Sequence, residues 1–435
     1  MNAVNGVSLK SDDGMERGMR YLPGVLLALV VAGYPVAGLL SASLDVSSRT
    51  TSLPFRGLVA AIALILLVRG WQGRRFGFWV CLLGVWWVVY AARLVSNLWQ
   101  GFPGAGHELA FFCLTVILPA LALLKSEPDQ AESSAGRILL FLGSLVGGGA
   151  LLGEFLGVFG WHSLMYTGRL STDTVNPITL GQVAASFLLV LVATRIPRRT
   201  TGSWWVFVPL AAMGLACLGY AGSRGAFVSL LVALAFLWLA QRCSHTNDRP
   251  GQIAVPCLVG LVVALFFFPL PTEQLIVNSE MRRQSLPTDI AAIAAKQLAD
   301  HQILAQQDRS GFRDMAVAER ITLARNAFGQ FLSHPLNGGA NWEANDGAYP
   351  HNLPLEAFSN LGVVGGVVFL ILMGAGIRFA WRRTRDGTWL ISLLYVQALA
   401  SAMFSGSLYG HAQLWTTLTM LLGSQAIFQV ERKAN

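Results

Sequence analysis

The sequence predicts an all-α polytopic membrane protein with about 12 transmembrane helices. Hydrophobic residues make up 54% of the 435 residues and charged residues only 12%, whereas about 25% of a soluble domain is charged. The mean hydropathy is +0.54, and many apolar runs approach the ~20 residues that a helix needs to cross ~30 Å of hydrocarbon. The alternating segments of about ten residues that build a membrane β-barrel are not seen in the sequence.

Twelve apolar segments follow one another, and a long polar stretch interrupts them after the ninth. We therefore divide the chain into transmembrane helices 1–9 (residues 1–270), a long loop (271–359), and transmembrane helices 10–12 with a short tail (360–435). The segments lie at approximately 21–42, 53–69, 77–96, 106–124, 138–160, 178–195, 204–221, 225–240, 252–270, 360–381, 388–405 and 411–430.

The distribution of basic residues predicts the orientation of these helices. Short loops on the side of the termini carry far more lysine and arginine than short loops on the other side. Basic residues of short loops stay in the cytoplasm, whereas long loops cross the membrane largely regardless of their charge. We therefore expect both termini in the cytoplasm and the long loop outside. The same rule explains the net charge of +8 without invoking a nucleic-acid partner.

The usual signatures of metal, nucleotide and disulfide chemistry are absent from the sequence. The five cysteines lie in apolar segments or in a short basic loop, so we expect neither a disulfide framework nor a metal site. The seven histidines include no HExxH pair, and there is no P-loop, GxSxG or dinucleotide motif. No small-residue cleavage site follows the first apolar run, which predicts a retained span rather than a signal peptide.

Two arginines lie on the predicted outer side, against the charge rule. Arg169 precedes the pair Asn176-Pro177, and Arg224 lies in a tight Gly-Ser-Arg-Gly turn between two apolar segments. A cation placed against the topological signal is a candidate for binding an anion, and the alternative is an arginine that snorkels to the membrane interface. Arg93 belongs to no local motif, and we interpret it as a snorkelling arginine.

The end of the long loop predicts a helix and then a constrained turn. The apolar positions from Asp314 to Leu332 fit a helix with one buried face, and Pro335 with the following glycine pair ends it. The predicted buried face comprises Met315, Val317, Ile321, Leu323, Phe328, Phe331 and Leu332, with Arg313, Arg320 and Arg325 along the helix.

His351 is the candidate general base of the outer side. It lies between Pro350 and Pro354, just outside the predicted tenth span. Its ordinary pKa near 6.5 suits proton transfer, although a loop histidine can also be a structural hydrogen-bonding residue. Several arginines beside one histidine fit the cleavage of a diphosphate leaving group, because guanidinium groups bind phosphate oxygens in pairs and stabilise the developing charge.

Three motifs carry a resemblance to the superfamily of O-antigen ligases and polymerases, which are membrane glycosyltransferases. The resemblance covers about residues 160–370, and the flanking spans match only in number. The motifs are Ser223-Arg224-Gly225; Arg320-x4-Arg325-x8-His334-Pro335-Leu336-x-Gly338-Gly339; and His351-Asn352-x2-Leu355-Glu356-x5-Gly362-x2-Gly365.

The resemblance implies a GT-C-like, metal-independent glycosyltransferase that needs no cofactor and uses a glycan linked to undecaprenyl diphosphate. The loop 271–359 would then be its periplasmic catalytic loop. The matching positions make His351 the base and make Arg224 and Arg320 ligands of the diphosphate. Arg169 and Asn352 would also bind substrate. Ala340 stands where the family usually has a third glycine, which bears on the geometry of that turn.

The activity expected from this resemblance is that of an O-antigen ligase at the periplasmic face of a bacterial inner membrane. Its partners would be the lipid-linked donor, lipid A-core as acceptor, and membrane lipid. An O-antigen polymerase is the first alternative, but the outer loop 161–177 is short for it. A protein O-oligosaccharyltransferase usually carries a longer outer or C-terminal region. A lipid-linked glycan transporter should show internal repeats and ionisable residues at mid-membrane.

Overall fold

The computed structural model is helical throughout the spans that it describes, and these contain no β-strand. The described residues are 13–44, 46–70, 76–124, 126, 128–156, 170, 175–194, 204–243, 320–340 and 349–434.

The described helices follow one another through most of the chain, with two π-helical segments inserted. The π-helical segments are Leu29–Gly33, between α1 and α2, and Phe112–Ile117, between α5 and α6. The helices are α1 (Asp13–Ala28), α2 (Tyr34–Ser43), α3 (Ser48–Gly70), α4 (Phe78–Trp99), α5 (Ala105–Phe111), α6 (Leu118–Leu123), α7 (Pro128–Leu156), α8 (Pro177–Ala193), α9 (Trp204–Ala221), α10 (Arg224–Arg242), α11 (320–333), α12 (Leu353–Arg385), α13 (Leu390–Ala402) and α14 (Ala412–Ala434).

The predicted polytopic all-α architecture is confirmed. Seven helices within the described ranges are long and apolar enough to cross a membrane, and three shorter apolar helices accompany them. Each predicted span except the ninth overlaps described helix, and the first and fourth each run through two helices joined by a π-helical segment. The ninth, 252–270, lies outside the described residues, as do 271–319 and 341–348 of the predicted loop.

Aromatic side chains fill the core where α4, α12 and α14 meet. The rings of Trp86 and Trp415 lie 4.9 Å apart between centroids, and Phe369 packs against both. The Trp86 indole also donates a hydrogen bond of 2.9 Å to the Gly365 carbonyl of α12. Each large aromatic side chain buries about 150–250 Å² of its own surface, so such rings contribute strongly to packing. This cluster fixes α4 and α14 against the part of α12 that follows Gly362.

A charged cluster ties α7 to α12 and α13 at one end of the bundle. The buried Arg383 guanidinium lies 2.6 Å from the Asp129 carboxylate and 2.9 Å from that of Glu132. Glu132 also accepts a hydrogen bond of 2.6 Å from the Leu390 amide, the first of α13. The start of α7 is therefore earlier than the predicted 138, because its acidic first turns have a cation to pair with.

The opposite end, called here the site end, carries the N-termini of α8, α10 and α12 and the C-termini of α4, α9 and α13. Two of its helices begin with an asparagine cap and have a proline in the first two helical positions. Asn176 accepts from the Thr179 amide at 2.8 Å, and Asn352 accepts from the Leu355 amide at 3.0 Å. Asparagine at the cap satisfies an amide left unpaired by helix geometry. This cap starts α12 at Leu353, so the predicted tenth span, 360–381, continues a helix that begins seven residues earlier.

Candidate functional site

His351 lies at a bend of the chain immediately before α12. Its φ is 54°, the only positive φ at a non-glycine residue among those described. Histidine is one of the few side chains that enter this left-handed region with any frequency. The imidazole packs against the Tyr349 ring, with centroids 4.4 Å apart. The predicted constrained loop around His351 is therefore present, and its backbone fixes the position of the imidazole.

Asn352 joins the start of α12 to the loop between α13 and α14. Its Oδ1 caps α12, and its Nδ2 donates to the Met403 carbonyl at 3.3 Å. Both ends of the amide thus have structural partners. The substrate contact expected for Asn352 remains a prediction, and the structure adds a positioning role beside it.

The loop 403–411 is fixed from two further sides. Both carboxylate oxygens of the buried Glu356 accept from the Leu408 amide, at 3.1 and 3.0 Å. The Trp415 indole donates to the Leu408 carbonyl at 2.8 Å. Glu356 is therefore engaged in holding this loop rather than open to a metal or a substrate.

The loop 403–411 also contacts the turn that holds Arg224. A Cβ added to Gly225 would lie 3.4 Å from the Cβ of Phe404. Phe404 is next to Met403, whose carbonyl binds Asn352, and Asn352 follows His351. Arg224 and His351 therefore lie on either side of the same short segment, although 127 positions separate them in the numbering of the chain.

Arg224 is the first residue of α10 and is exposed. Gly222, with φ of 59°, makes the turn that brings α9 into α10. The dipole of a helix places partial positive charge at its N-terminus, so a cation there is disfavoured unless an anion binds beside it. The free amides of α10 and the Arg224 guanidinium together offer donors of the kind that bind phosphate oxygens.

Arg169 lies outside the described residues, but its neighbour does not. The amide of Leu170 donates to the Tyr220 carbonyl at 2.8 Å, and Leu170 is buried. Tyr220 is in the last turn of α9, just before the turn that carries Arg224. The chain next to Arg169 is thus attached close to Arg224. The role of Arg169 stays a prediction.

Arg320 begins the described part of α11, which packs on the first turns of α12. The buried Leu323 and Ala327 contact Leu355, and the Phe331 ring lies 5.6 Å from that of Phe358. The contacts advance along both helices together, so α11 and this part of α12 run in the same direction. Arg320 precedes Leu323 by three residues, which places both on one helix face. Arg320 therefore lies level with the residues that precede Leu355.

The turn after α11 enters the hydrogen-bond ladder of α12. A regular helix would join the Val363 amide to the Ser359 carbonyl. Instead, Val363 donates to the Pro335 carbonyl, and Ser359 accepts from the Gly339 amide, each at 2.7 Å. The helix is interrupted here at Gly362, where φ is 68° and ψ is −169°. The turn 335–339 is therefore built into α12 by backbone bonds.

Two glycines of the family-like motifs are required by this arrangement. Gly338 has φ of 69°, and a Cβ on it would overlap the carbonyl group of Asn360. A Cβ on Gly362 would overlap the carbonyl oxygen of Leu336. Both positions combine a left-handed backbone with close backbone contact, which only glycine tolerates without strain. Both glycines are therefore required by one docking contact, that of the turn 335–339 with α12.

Arg93 is the residue of this region whose role the sequence reasoning missed. Its guanidinium donates to the carbonyls of Asn337 and Gly338, the second at 3.3 Å. Arg93 therefore binds the turn after α11 to α4, and the interpretation as a simple snorkelling arginine is wrong. No local signal could have shown this contact, because its partners lie in a distant part of the sequence.

A buried polar network lies beneath the loop 403–411 and joins α8, α13 and α14. The Gln397 amide accepts from Ser186 at 2.7 Å and from Gln413 at 3.3 Å, and donates to the Gln182 carbonyl at 3.1 Å. Gln182 also donates to the Ser401 hydroxyl. A buried polar network whose members are paired makes its surroundings rigid. The network therefore holds α8, α13 and α14 in fixed positions beneath the loop 403–411.

Comparison with known protein families gives one match to this chain. Residues 209–370 match a family model described as O-antigen ligase, and this range includes Arg224, Arg320, His351 and both glycines of the docking contact. No curated protein and no solved structure matches the chain. The family match supports the assignment of this chain to the O-antigen ligase family.

Proposed function

We propose that the chain is a lipid-diphosphate-dependent glycosyltransferase of the ligase type. It transfers a glycan from undecaprenyl diphosphate to the lipid A-core oligosaccharide at the periplasmic face of the inner membrane, with the site end facing the periplasm and both termini in the cytoplasm. The reaction needs neither a metal ion nor a cofactor. The family match supports the general activity, and the donor, the acceptor and the orientation are the proposal.

The single observation that carries this proposal is the convergence of three chain segments at the site end. The loop 403–411 contacts the Arg224 turn through Phe404 and the His351 segment through Asn352. α11 brings Arg320 along the start of α12. The segments that carry His351, Arg224 and Arg320 thus belong to one end of the bundle, which supports a shared site. This favours a transferase over a transporter, whose polar groups should follow a path through the membrane.

In the proposed reaction, His351 takes the proton of the attacking acceptor hydroxyl. The hydroxyl oxygen forms a bond to the anomeric carbon of the donor sugar, and the bond between that carbon and the diphosphate oxygen breaks. The electron pair leaves with undecaprenyl diphosphate, and the proton on His351 passes to water when the products depart. A positioned base of this kind contributes about 10²–10⁴-fold to a rate.

Arg224 and Arg320 bind the diphosphate in this scheme, and Arg169 assists them. Negative charge grows on the bridging oxygen as the sugar leaves, so these contacts strengthen in the transition state. Guanidinium groups suit the task because they bind two oxygens at once and stay charged at any relevant pH. The left-handed backbone conformation of His351 restricts where the imidazole can lie, which suits a residue that acts as the base.

Reconstitution in liposomes tests the proposal. Purified protein would receive a lipid-linked glycan donor and, in parallel samples, lipid A-core or no acceptor. We expect glycosylated lipid A-core and free undecaprenyl diphosphate only when the acceptor is present. The His351→Asn variant is the matched control, since asparagine also tolerates a positive φ but cannot act as a base. No transfer by an intact wild-type protein would overturn the proposal.

O-antigen polymerase is the second candidate because the family resemblance includes both activities. Its product in the same assay is a longer lipid-linked glycan, formed without lipid A-core. Transfer to a pilin-like protein would instead indicate the protein O-oligosaccharyltransferase. Movement of intact donor between leaflets without any new glycosidic bond would indicate the transporter.

A further inference from the structure

The sequence predicts that the apolar side chains of α11 form one buried face, and the structure shows two faces instead. Leu323 and Ala327 are buried against α12. In contrast, Ile321, Phe328 and Leu332 are 47%, 52% and 60% exposed. The prediction of a helix is confirmed over the described residues, but the prediction that these three side chains are buried is wrong. The bundle therefore leaves one apolar side of α11 uncovered.

The exposed apolar side chains form a continuous stripe on α11. Phe328 follows Ile321 by seven residues and Leu332 follows Phe328 by four, a spacing that places all three on one side of a helix. Leu336, just after the helix, is 69% exposed. Isolated exposed apolar residues need no explanation, but a contiguous row of large ones marks an interaction surface. We call these four side chains the α11 stripe.

The α11 stripe continues into the exposed flank of a membrane-spanning helix. The Val363 amide donates to the Pro335 carbonyl at 2.7 Å, which places Leu336 beside the start of the second part of α12. From there, Val363, Val364 and Val367 are exposed along α12, a helix long and apolar enough to cross a membrane. A span of this kind meets lipid with its exposed apolar side chains.

Arg325, together with the lipid-facing flank of α12, favours lipid as the partner. It follows Ile321 by four residues and precedes Phe328 by three, so it lies within the α11 stripe, and it is exposed. An arginine there can lay its apolar stem along lipid chains and direct its guanidinium to headgroup phosphates. Apolar side chains around a basic one are typical of helices that lie in a membrane interface.

We propose that α11 is seated in the outer surface of the membrane, with the α11 stripe among phospholipid acyl chains and Arg325 at their phosphates. The predicted loop is then attached to the bilayer as well as to α4 and α12. This seating holds Arg320, on the other face of α11, at a constant height above the membrane. The inference does not depend on which glycan or acceptor the protein uses.

Collision accessibility in liposomes tests this seating on the full chain. A variant without the five native cysteines would carry a single nitroxide-labelled cysteine at Phe328→Cys or Leu332→Cys. Asn326→Cys and Ser333→Cys, on exposed polar positions of the same helix, are matched controls, and Val364→Cys is the lipid-facing reference. We expect both stripe positions to meet oxygen readily and a water-soluble nickel complex rarely, as Val364→Cys does, with the reverse at the controls.

Two outcomes would overturn the proposal. Accessibility to the nickel complex at both stripe positions, equal to that of the controls, would place the stripe in water. Low accessibility to both reagents would show that protein covers it. Wild-type protein provides a second measurement that avoids substitution. A diazirine-bearing phospholipid should label Phe328 or Leu332 as well as Val364, and labelling of Val364 alone would also contradict the seating.

Discussion

Ser359 and Val363 stand one turn apart in α12, yet their backbone groups bond to the turn 335–339 instead of to each other. The interrupted helix thus has its open hydrogen-bonding groups satisfied by a distant part of the chain. An unsatisfied buried backbone group costs about 1–3 kcal/mol, so α12 and the turn stabilise each other. Any change that separates them leaves both sides with unpaired groups.

Replacing Gly362 should expose this dependence. Gly362→Ala would place a side chain against the Leu336 carbonyl at a φ of 68° and a ψ of −169°, and this backbone conformation, which is essentially limited to glycine, costs an alanine about 1–3 kcal/mol. We expect a lower thermal unfolding temperature in detergent and reduced transfer in liposomes.

Gly374→Ala is the matched control for this prediction. Gly374 lies in the same helix, and a Cβ there would have no neighbour within 4 Å. Alanine is favoured over glycine inside a helix by about 0.5–1 kcal/mol, so this variant should unfold at the same or a higher temperature. Equal unfolding temperatures for the two variants would contradict the docking contact.

Removing the Arg93 side chain should weaken the attachment of the turn 335–339 to α4. Arg93→Ala loses the hydrogen bonds to the Asn337 and Gly338 carbonyls, and a bond to a charged group is worth about 1.5–3 kcal/mol. We expect a destabilisation of that order in chemical unfolding. Arg93→Lys should recover part of it, since an ammonium can still reach one carbonyl. Arg378→Ala, at an exposed position of α12, should unfold like wild type; a similar loss there would remove any special role for Arg93.

His351 should be indispensable to transfer without being needed for folding. We expect His351→Ala to lose about 10²–10⁴-fold in the rate of transfer while its yield and unfolding temperature stay close to those of wild type. His334 is the matched control, because it is exposed at the C-terminal end of α11 and its main-chain carbonyl makes the turn bond to Gly338. His334→Ala should lose activity only in part, and near-normal transfer by His351→Ala would exclude His351 as the base.

Lysine should not replace arginine at Arg224 or Arg320. An ammonium keeps the charge but cannot bind two phosphate oxygens side by side, so Arg224→Lys and Arg320→Lys should weaken donor binding and turnover together. Arg325→Lys, on the exposed face of α11, should transfer like wild type under the same conditions. If Arg224 and Arg320 only form surface ion pairs, worth about 0–1 kcal/mol, both lysine variants should stay close to the wild-type rate in initial-rate assays with varied donor concentration.

Chelation should leave transfer unchanged. The carboxylates of the predicted outer side, among them Asp173, Glu343, Asp346 and Glu356, are scattered and form no Asp-x-Asp pair, and both oxygens of Glu356 accept from the Leu408 amide. Transfer rates measured with and without EDTA should therefore agree. Loss of activity in EDTA that Mg²⁺ or Mn²⁺ restores would count against an arginine-based mechanism.

The sequence predicts the spans well because apolar length alone decides which segments can cross a membrane. It also predicts the end of α11 at Pro335 and the constrained turn at His351, since proline and glycine act on the local backbone. It could not predict the contact of Arg93 or the insertion of the turn 335–339 into α12. These contacts join residues that are far apart in the chain, and a periodic sequence pattern gives no information about such contacts.

The faces of α11 show a second limit. Leu323 and Ile321 have similar chemistry, and the pattern of apolar residues predicted the same surroundings for both. Leu323 instead meets Leu355 of α12, whereas Ile321 is exposed. In a membrane protein, a lipid-facing side chain and a buried one are both apolar, so hydrophobicity cannot distinguish them. Only the docking of α11 on α12 decides which face is covered.

The charged cluster at the opposite end of the bundle has a consequence for biogenesis. Asp129 and Glu132 open α7, whereas the arginine that neutralises them, Arg383, is 254 and 251 residues further along the chain. During synthesis α7 must therefore wait with uncompensated carboxylates until the end of α12 emerges from the ribosome. A nascent chain that stops before Arg383 keeps an acidic helix start without its cation, so the link between the first turns of α7 and the end of α12 can form only after nearly the whole bundle has been made.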